Sequence, residues 1–195
     1  MSQLDLLIIR HGPTTWNREK RLQGHTDIPV DLEAMQQQWP NPVPVEWQRR
    51  RWFCSPLIRA KQTATYLNLN ALPEPALIEM SWGKWEGARL DELREEDPAG
   101  VQRIEAQGLH LRAPDGESPA DVQQRLGIWA ESVLSSQSSL AVGAVCHKGV
   151  IRALLAAATD WDMMGKAPVK LDYSCGHEFS WCSGRWALTR ANIVF

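Results

Sequence analysis

The sequence predicts an α/β fold, a three-layer sandwich in which a mostly parallel central sheet is flanked by helices on both faces. Three observations carry this. Short, mostly apolar runs such as Leu4–Ile9, with Asp5 its one polar residue, and Ala141–Cys146 read as strands buried on both faces. Helical patterns alternate with them. Both runs end in histidine, at Ile9-Arg10-His11 and Val145-Cys146-His147. In open α/β sheets, ligands bind beyond the carboxyl ends of the strands, so two histidines at such ends define one site if their strands are parallel.

Taken in order, Leu4–Ile9 is the first strand. Residues 13–30 hold Pro13, Gly24 and Pro29 and read as loop. Asp31–Gln38 reads as a short helix, and Pro40, Pro42 and Pro44 forbid regular structure after it. Trp52–Cys54 is a short strand, and Pro56 opens a helix to about Leu67, proline being tolerated in the first turn. Ala76–Met80 is strand-like. Residues 88–107 are charged and helical, with a break at Pro98. The strongest helix is "ESPADVQQRLGIWAESVL", with Ser118 as N-cap, Pro119 at the first position and Asp121 completing a capping box. The strand Ala141–Cys146 leads into a helix over Val150–Ala158. Glu178–Cys182 and Trp186–Thr189 form a closing hairpin around Ser183-Gly184.

The 195 residues fit a single domain, 1–195, large enough to bury a core. A net charge of −2 argues against a polyanion partner, although one pocket can still be strongly positive. Asp5 and the short run Leu6–Ile9 do not fit a signal peptide, and no stretch reaches the roughly eighteen apolar residues of a membrane span. A cytoplasmic protein with no membrane partner is the expectation. The four cysteines, 54, 146, 175 and 182, are read as reduced thiols. Cys175, His177 and Cys182 lack a fourth ligand at zinc-like spacing, so no metal site and no cofactor are expected. The ten tryptophans are read mostly as core.

Phosphoryl transfer needs a nucleophile, cations around the equatorial oxygens and an acid for the leaving alkoxide. His11 suits the first role. Arg10 and Arg59 suit the second, as planar multidentate donors, with a further hydrogen bond from His147. Glu79, at the end of the third predicted strand, suits the last. Each signal alone is weak: an Arg-His-Gly tripeptide means something only between a strand and a loop.

Together these segments resemble the histidine phosphatase, or phosphoglycerate mutase-like, superfamily. "RHGPTTWNREKRLQGHTDIP" is similar to the family's opening segment and "SPLIRAKQTA" to its second arginine motif. "IEMSWGKWEG" resembles the acid-bearing segment, "PDGESPADVQQR" the GES-x-x-D helix start, and "VCHKGVIRALL" the second-histidine motif. The resemblance implies a metal-independent phosphomonoesterase for a small phosphorylated metabolite. His11 becomes phosphohistidine; Arg10, Arg59 and His147 stabilise the transferring group; Glu79 protonates the leaving oxygen. Asn17, Gln23 and Gly24 are implied as substrate-binding residues. A cofactor-dependent phosphoglycerate mutase and a non-catalytic phosphate-binding module on the same fold stand as alternatives. The substrate and the oligomeric state are not legible.

Lys148 stands where the family usually has Gly. It either adds charge beside the phosphate or points to solvent, and solvent is favoured because lysine is mostly exposed. Pro13 and Ser81-Trp82 also depart from the pattern. Arg49-Arg50-Arg51 reads as a solvated run rather than a nucleic-acid patch, given the acidic total. Arg18, Lys20 and Arg21 either meet a second anionic group or form plain surface loop. Trp16, Trp82 and Trp85 flank the chemistry, with core packing the favoured reading.

Overall fold

A computed structural model of the chain describes residues 3–135 and 139–195. Its six strands are β1 (Gln3–Arg10), β2 (Arg51–Cys54), β3 (Ala71–Pro73), β4 (Ser139–Cys146), β5 (Gly176–Cys182) and β6 (Arg185–Ile193). They form one sheet in the order β3-β2-β4-β1-β5-β6. The pairings β3-β2, β2-β4 and β4-β1 are parallel, while β1-β5 and β5-β6 are antiparallel. The predicted parallel core is therefore present, with an antiparallel hairpin closing one edge. That hairpin turns through Ser183 and Gly184 at φ 50° and 77°, a left-handed pair that matches the twist of the flanking strands.

Helices α1 (Thr15–Arg18), α2 (Leu32–Gln38), α3 (Val45–Gln48), α4 (Ile58–Tyr66), α5 (Leu90–Glu96), α6 (Pro98–Glu105), α7 (Pro119–Leu134) and α8 (Lys148–Thr159) complete the chain, with short 3₁₀ turns between them. The central strand β1 shows why the apolar runs are nearly unbroken. Leu4, Leu6 and Ile8 face a core built from α7 and α8. Leu7 and Ile9 face the opposite core, built from α2, α3 and α4. A strand covered on both faces leaves little room for a polar side chain, and Asp5, half-buried near the start of β1, is the one polar residue between Leu4 and Ile9. Trp52 lies against β4 so closely that a Cβ on Gly143 would sit 2.4 Å from its ring, so only glycine fits there. A third, smaller cluster of Trp85, Val101 and Ala113 packs under α5 and α6, with Leu22 and Trp82 beside it.

α7 forms as predicted: Ser118 and Asp121 exchange side-chain-to-backbone bonds around Pro119. Four expectations change. Ala76–Met80 is not a strand. Pro75–Leu77 is a 3₁₀ turn, the real edge strand is Ala71–Pro73, and Arg125 of α7 donates to the carbonyls of Ala76 and Ile78 where a ladder would have been. The helix after Pro56 starts two residues later than expected, because the Ile58 N–H is capped by the Asp27 carboxylate from a distant loop. Of Arg49-Arg50-Arg51, the outer two are exposed as expected and the middle one is not. Arg50 turns inward, 19% exposed, to Glu178 at 2.8 Å and to the carbonyls of Asp5 and Val142. Pro44 precedes a further helix, α3, that buries Trp47.

Candidate active site

The register of β1 on β4 decides the site. Arg10 pairs with Cys146, and the His11 N–H continues the ladder to the Cys146 carbonyl at 2.8 Å. His11 and His147 therefore leave adjacent parallel strands together, their ring centroids 5.1 Å apart. Their hydrogen bonds fix opposite tautomers. His11 Nδ1 lies 2.6 Å from the Gly12 carbonyl oxygen. A carbonyl only accepts, so Nδ1 carries the proton and Nε2 keeps its lone pair. His147 Nδ1 accepts from Arg59 Nε at 3.2 Å, so its proton sits on Nε2, which is buried and has no partner among the described residues.

Arg59 is the second residue of α4 and fully buried. Besides His147, its guanidinium donates to the carbonyls of Thr26 at 2.9 Å and Gly24 at 2.7 Å. Those three bonds leave two of five N–H donors for a ligand. Thr63, one turn along α4, donates to the Arg59 carbonyl and accepts the Gly12 N–H at 2.8 Å, tying the two arginine-bearing segments together. Gly24 adopts φ +51°, and a Cβ there would meet the Glu86 carboxylate at 2.0 Å. That carboxylate accepts from the backbone of His25 and Thr26 and from the Thr26 hydroxyl. Partial burial pushes the Glu86 carboxyl up, but these bonds win and hold it below its ordinary range.

Glu79, 8% exposed, accepts from the N–H groups of Met80 at 2.9 Å and Gly149 at 3.3 Å, while its own carbonyl accepts from His25 Nε2 at 2.8 Å. Asn17 closes a capping box with Thr14 through Oδ1, which leaves its amide N–H groups to the cavity. The Gln23 side-chain oxygen is buried without a partner among the described residues.

Burial is the largest influence on both imidazoles and both arginines. It pushes His11 and His147 well below their ordinary range. The neighbouring cations Arg10 and Arg59 push both the same way, and the His11 ring adds to the effect on His147. Both rings are therefore neutral at neutral pH. Burial also lowers Arg10 and Arg59, offset in each case by Glu79. The Arg10 Nε, like His147 Nε2, has no protein partner among the described residues. A buried donor without a protein acceptor is a costly arrangement, relieved by an anion.

A cavity of about 600 Å³ opens over this floor. Arg10, His11, Asn17, Gln23, Gly24 and Glu79 line it, with Arg59 and His147 directly behind. All eight residues expected from the sequence thus converge. Three expectations for the surroundings change. Lys148 does not simply point to solvent: it stays exposed but lines the cavity, its ammonium 5.4 Å from the centre of the Tyr173 ring. Trp16 and Trp82 are cavity wall, and only Trp85 is core. Lys20 and Arg21 face the cavity, whereas Arg18 turns away to Asp31 at 2.8 Å. Cys175, His177 and Cys182 do not converge. His177 and Cys182 sit at odd and even places of β5 and face opposite sides of the sheet.

Sequence reasoning missed His25, Thr63 and Glu86 as supports. His25 and Thr26 lie in the GHTDIP turn and Glu86 in the acid-bearing segment, so the signal was a polar residue inside a matched motif.

This geometry defines an α/β protein with a sheet-end anion pocket and a neutral, oriented histidine. A family model of the histidine phosphatase superfamily (branch 1) matches residues 6–194, and the chain belongs to that superfamily of phosphoric monoester hydrolases. It is 28% identical over 165 residues to phosphoserine phosphatase 1 of Hydrogenobacter thermophilus, covering 81% of this chain and 77% of that protein. It is 31% identical over 134 residues to a probable phosphoglycerate mutase, GpmB, of Enterobacter sp., covering 63% of this chain and 60% of the mutase. Among solved structures, Bacillus stearothermophilus YhfR superposes with a TM-score of 0.81 at 28% identity, covering 98% of both chains. No helix among the described residues is long and apolar enough to cross a membrane.

Proposed function

We propose that the protein is a metal-independent phosphomonoesterase that acts on a small phosphorylated metabolite through a phosphohistidine. One observation carries the reading: two buried, neutral imidazoles 5.1 Å apart, one with a free lone pair and one with a free N–H. The first is a nucleophile and the second a donor to a phosphoryl oxygen. His11 Nε2 attacks phosphorus while Arg10, Arg59, His147 and Asn17 take the equatorial oxygens. The ester bond breaks, and Glu79 in its acid form gives the departing alkoxide its proton. Glu79 then removes a proton from water, which attacks the phosphohistidine and releases free phosphate. The charge that a divalent ion supplies in other phosphoryl-transfer sites comes here from the two arginines.

Rapid quenching during turnover is expected to trap an acid-labile, alkali-stable phosphoryl group on the wild type and none on His11→Ala. A trapped group that persists in His11→Ala would place the nucleophile elsewhere. The names of the relatives favour a mutase as the second reading. A mutase returns an isomerised phosphoglycerate with little free phosphate and requires bisphosphoglycerate priming, so the same assay separates the two.

A further inference from the structure

We propose that Lys148 and Arg152 form a second anion subsite. The substrate is then a phosphomonoester whose alcohol part carries a carboxylate or a second phosphate within a few bonds of the ester oxygen. This rests on the phosphatase reading and names its substrate class.

The argument begins with charge. Arg10, Lys20, Arg21, Lys148 and Arg152 line the cavity against the carboxylates of Glu79 and Glu105. Most of these charges have partners. Arg21 is tied to Glu19 at 2.7 Å and to the Gly87 carbonyl. Glu105 is taken by Arg94 at 2.5 Å. Arg10 belongs to the phosphoryl floor. On the α8 side, Lys148 and Arg152 have no carboxylate within ion-pair distance among the described residues, although most arginines of the chain do. One phosphomonoester dianion, already met by Arg10, Arg59 and His147, leaves this pair uncompensated.

Geometry makes the pair a built surface. Positions 148 and 152 are one helical turn apart and share a face of α8. Tyr173 stands against both Lys148, at 5.4 Å, and Arg10, with its guanidinium carbon 5.9 Å from the ring centre. Arg152 lies over the face of Trp161, 5.0 Å from its ring centre, and close enough to Tyr173 to act on its hydroxyl. An arginine held against a ring is pre-organised and loses little freedom on binding. Burial, with Arg10 and Arg152 nearby, pulls the Lys148 ammonium below its ordinary range, a crowding of like charge that an incoming anion relieves.

Position assigns the subsite to the leaving group. Lys148 follows His147 directly, and the Gly149 N–H holds the Glu79 carboxylate at 3.3 Å. The face therefore begins where the leaving oxygen receives its proton. Trp16, Leu22, Trp82 and Leu90 also line the cavity and add mainly apolar surface, with Lys20 and Arg21 in the same segment as the first two.

The test compares four esters: 3-phosphoglycerate (carboxylate), propane-1,3-diol bisphosphate (second phosphate), glycerol 3-phosphate (neutral) and p-nitrophenyl phosphate. Wild-type enzyme is expected to prefer at least one doubly anionic ester over glycerol 3-phosphate by about tenfold in kcat/KM, mostly through KM. Lys148→Ala and Lys148→Glu are expected to erase that preference, and Lys148→Arg to keep it. Which doubly anionic ester gains identifies carboxylate or phosphate. No wild-type preference, or a preference that survives Lys148→Glu, overturns the proposal. So does an equal loss on all four esters, which would make Lys148 part of the phosphoryl grip. If no ester is hydrolysed at all, the phosphatase reading fails. Calorimetric binding of 3-phosphoglycerate and glycerol 3-phosphate to His11→Ala then decides the subsite alone: tighter binding of the former, lost in His11→Ala/Lys148→Ala, upholds it, and equal binding overturns it.

Discussion

His11, Arg59 and His147 make the floor of the cavity, and Trp16, Lys20, Trp82 and Lys148 make its rim. The floor is buried, and each of its side chains is held by at least one bond to backbone or to another floor residue. Its residues leave the sheet at fixed register. The rim is half-exposed or exposed and comes from loops and from the open face of α8. This difference divides the work. A transition state with charge on three oxygens needs donors that do not reorganise, and only the floor offers them. Recognition of the rest of the substrate tolerates looser groups, which are free to differ between relatives that share the floor.

The largest expected effect probes the floor directly. Glu79→Gln is expected to lower the rate on an alkyl phosphate by roughly 10²–10⁴-fold, the usual worth of a positioned acid. The loss on p-nitrophenyl phosphate, whose phenolate departs without a proton, is expected to be within about tenfold. Equal losses on the two esters would mean that Glu79 only positions other groups.

Next comes the scaffold beneath the floor. Thr63→Val deletes the acceptor of the Gly12 N–H and leaves that donor buried and unpaired. The expected cost is about 1–3 kcal/mol of stability by urea unfolding. Lys20→Ala on the rim, with an exposed side chain, is expected to stay within about 0.5 kcal/mol. Comparable losses at both positions would erase the distinction between floor and rim.

The last effect is on pH dependence. His11, His147 and His177 are all depressed by burial, His177 to about 4 from 6.5 despite the opposing pull of Asp172. Below 6.5 the unfolded chain takes protons that the folded chain refuses. The stability these neutral rings contribute is complete above pH 6.5 and lost as pH falls toward their folded values. His177 alone accounts for about 2–3 kcal/mol of this between pH 6.5 and 4. His177→Asn, far from the nucleophile in sequence and on β5 between β1 and β6, is expected to flatten the acid limb of a plot of unfolding midpoint against pH. An unchanged limb would mean that the ring is not neutral in the folded state.

Legibility from sequence followed the range of the interactions. α7 was readable to the residue because its capping box closes within four positions. The hairpin at Ser183-Gly184 was readable because a two-residue turn is local. Glu79 was placed correctly in the site but on the wrong backbone. The apolar run from Ala76 to Met80 has a strand's composition, and only Arg125, reaching from α7 to the carbonyls of Ala76 and Ile78, shows why it is not one. Arg50 looked like one of three surface arginines until Glu178, 128 positions away, drew it inward.

By itself the sequence determined the two histidine-ended strands, the arginine that follows Pro56, the acid within the "EMSWG" segment and the order in which they come. These are short-range facts, since an apolar run and the residue that ends it are neighbours in the chain. Only the tertiary structure decided that β1 and β4 pair in parallel at the register that sets His11 beside His147. It alone gave the two rings opposite tautomers, through Gly12 and Arg59, and turned Lys148 from solvent onto the wall beside Tyr173. Each of those outcomes depends on burial and on partners brought from distant parts of the chain. A side chain's charge, tautomer and direction answer to whatever the fold places within a few ångströms of it, and sequence neighbours supply little of that.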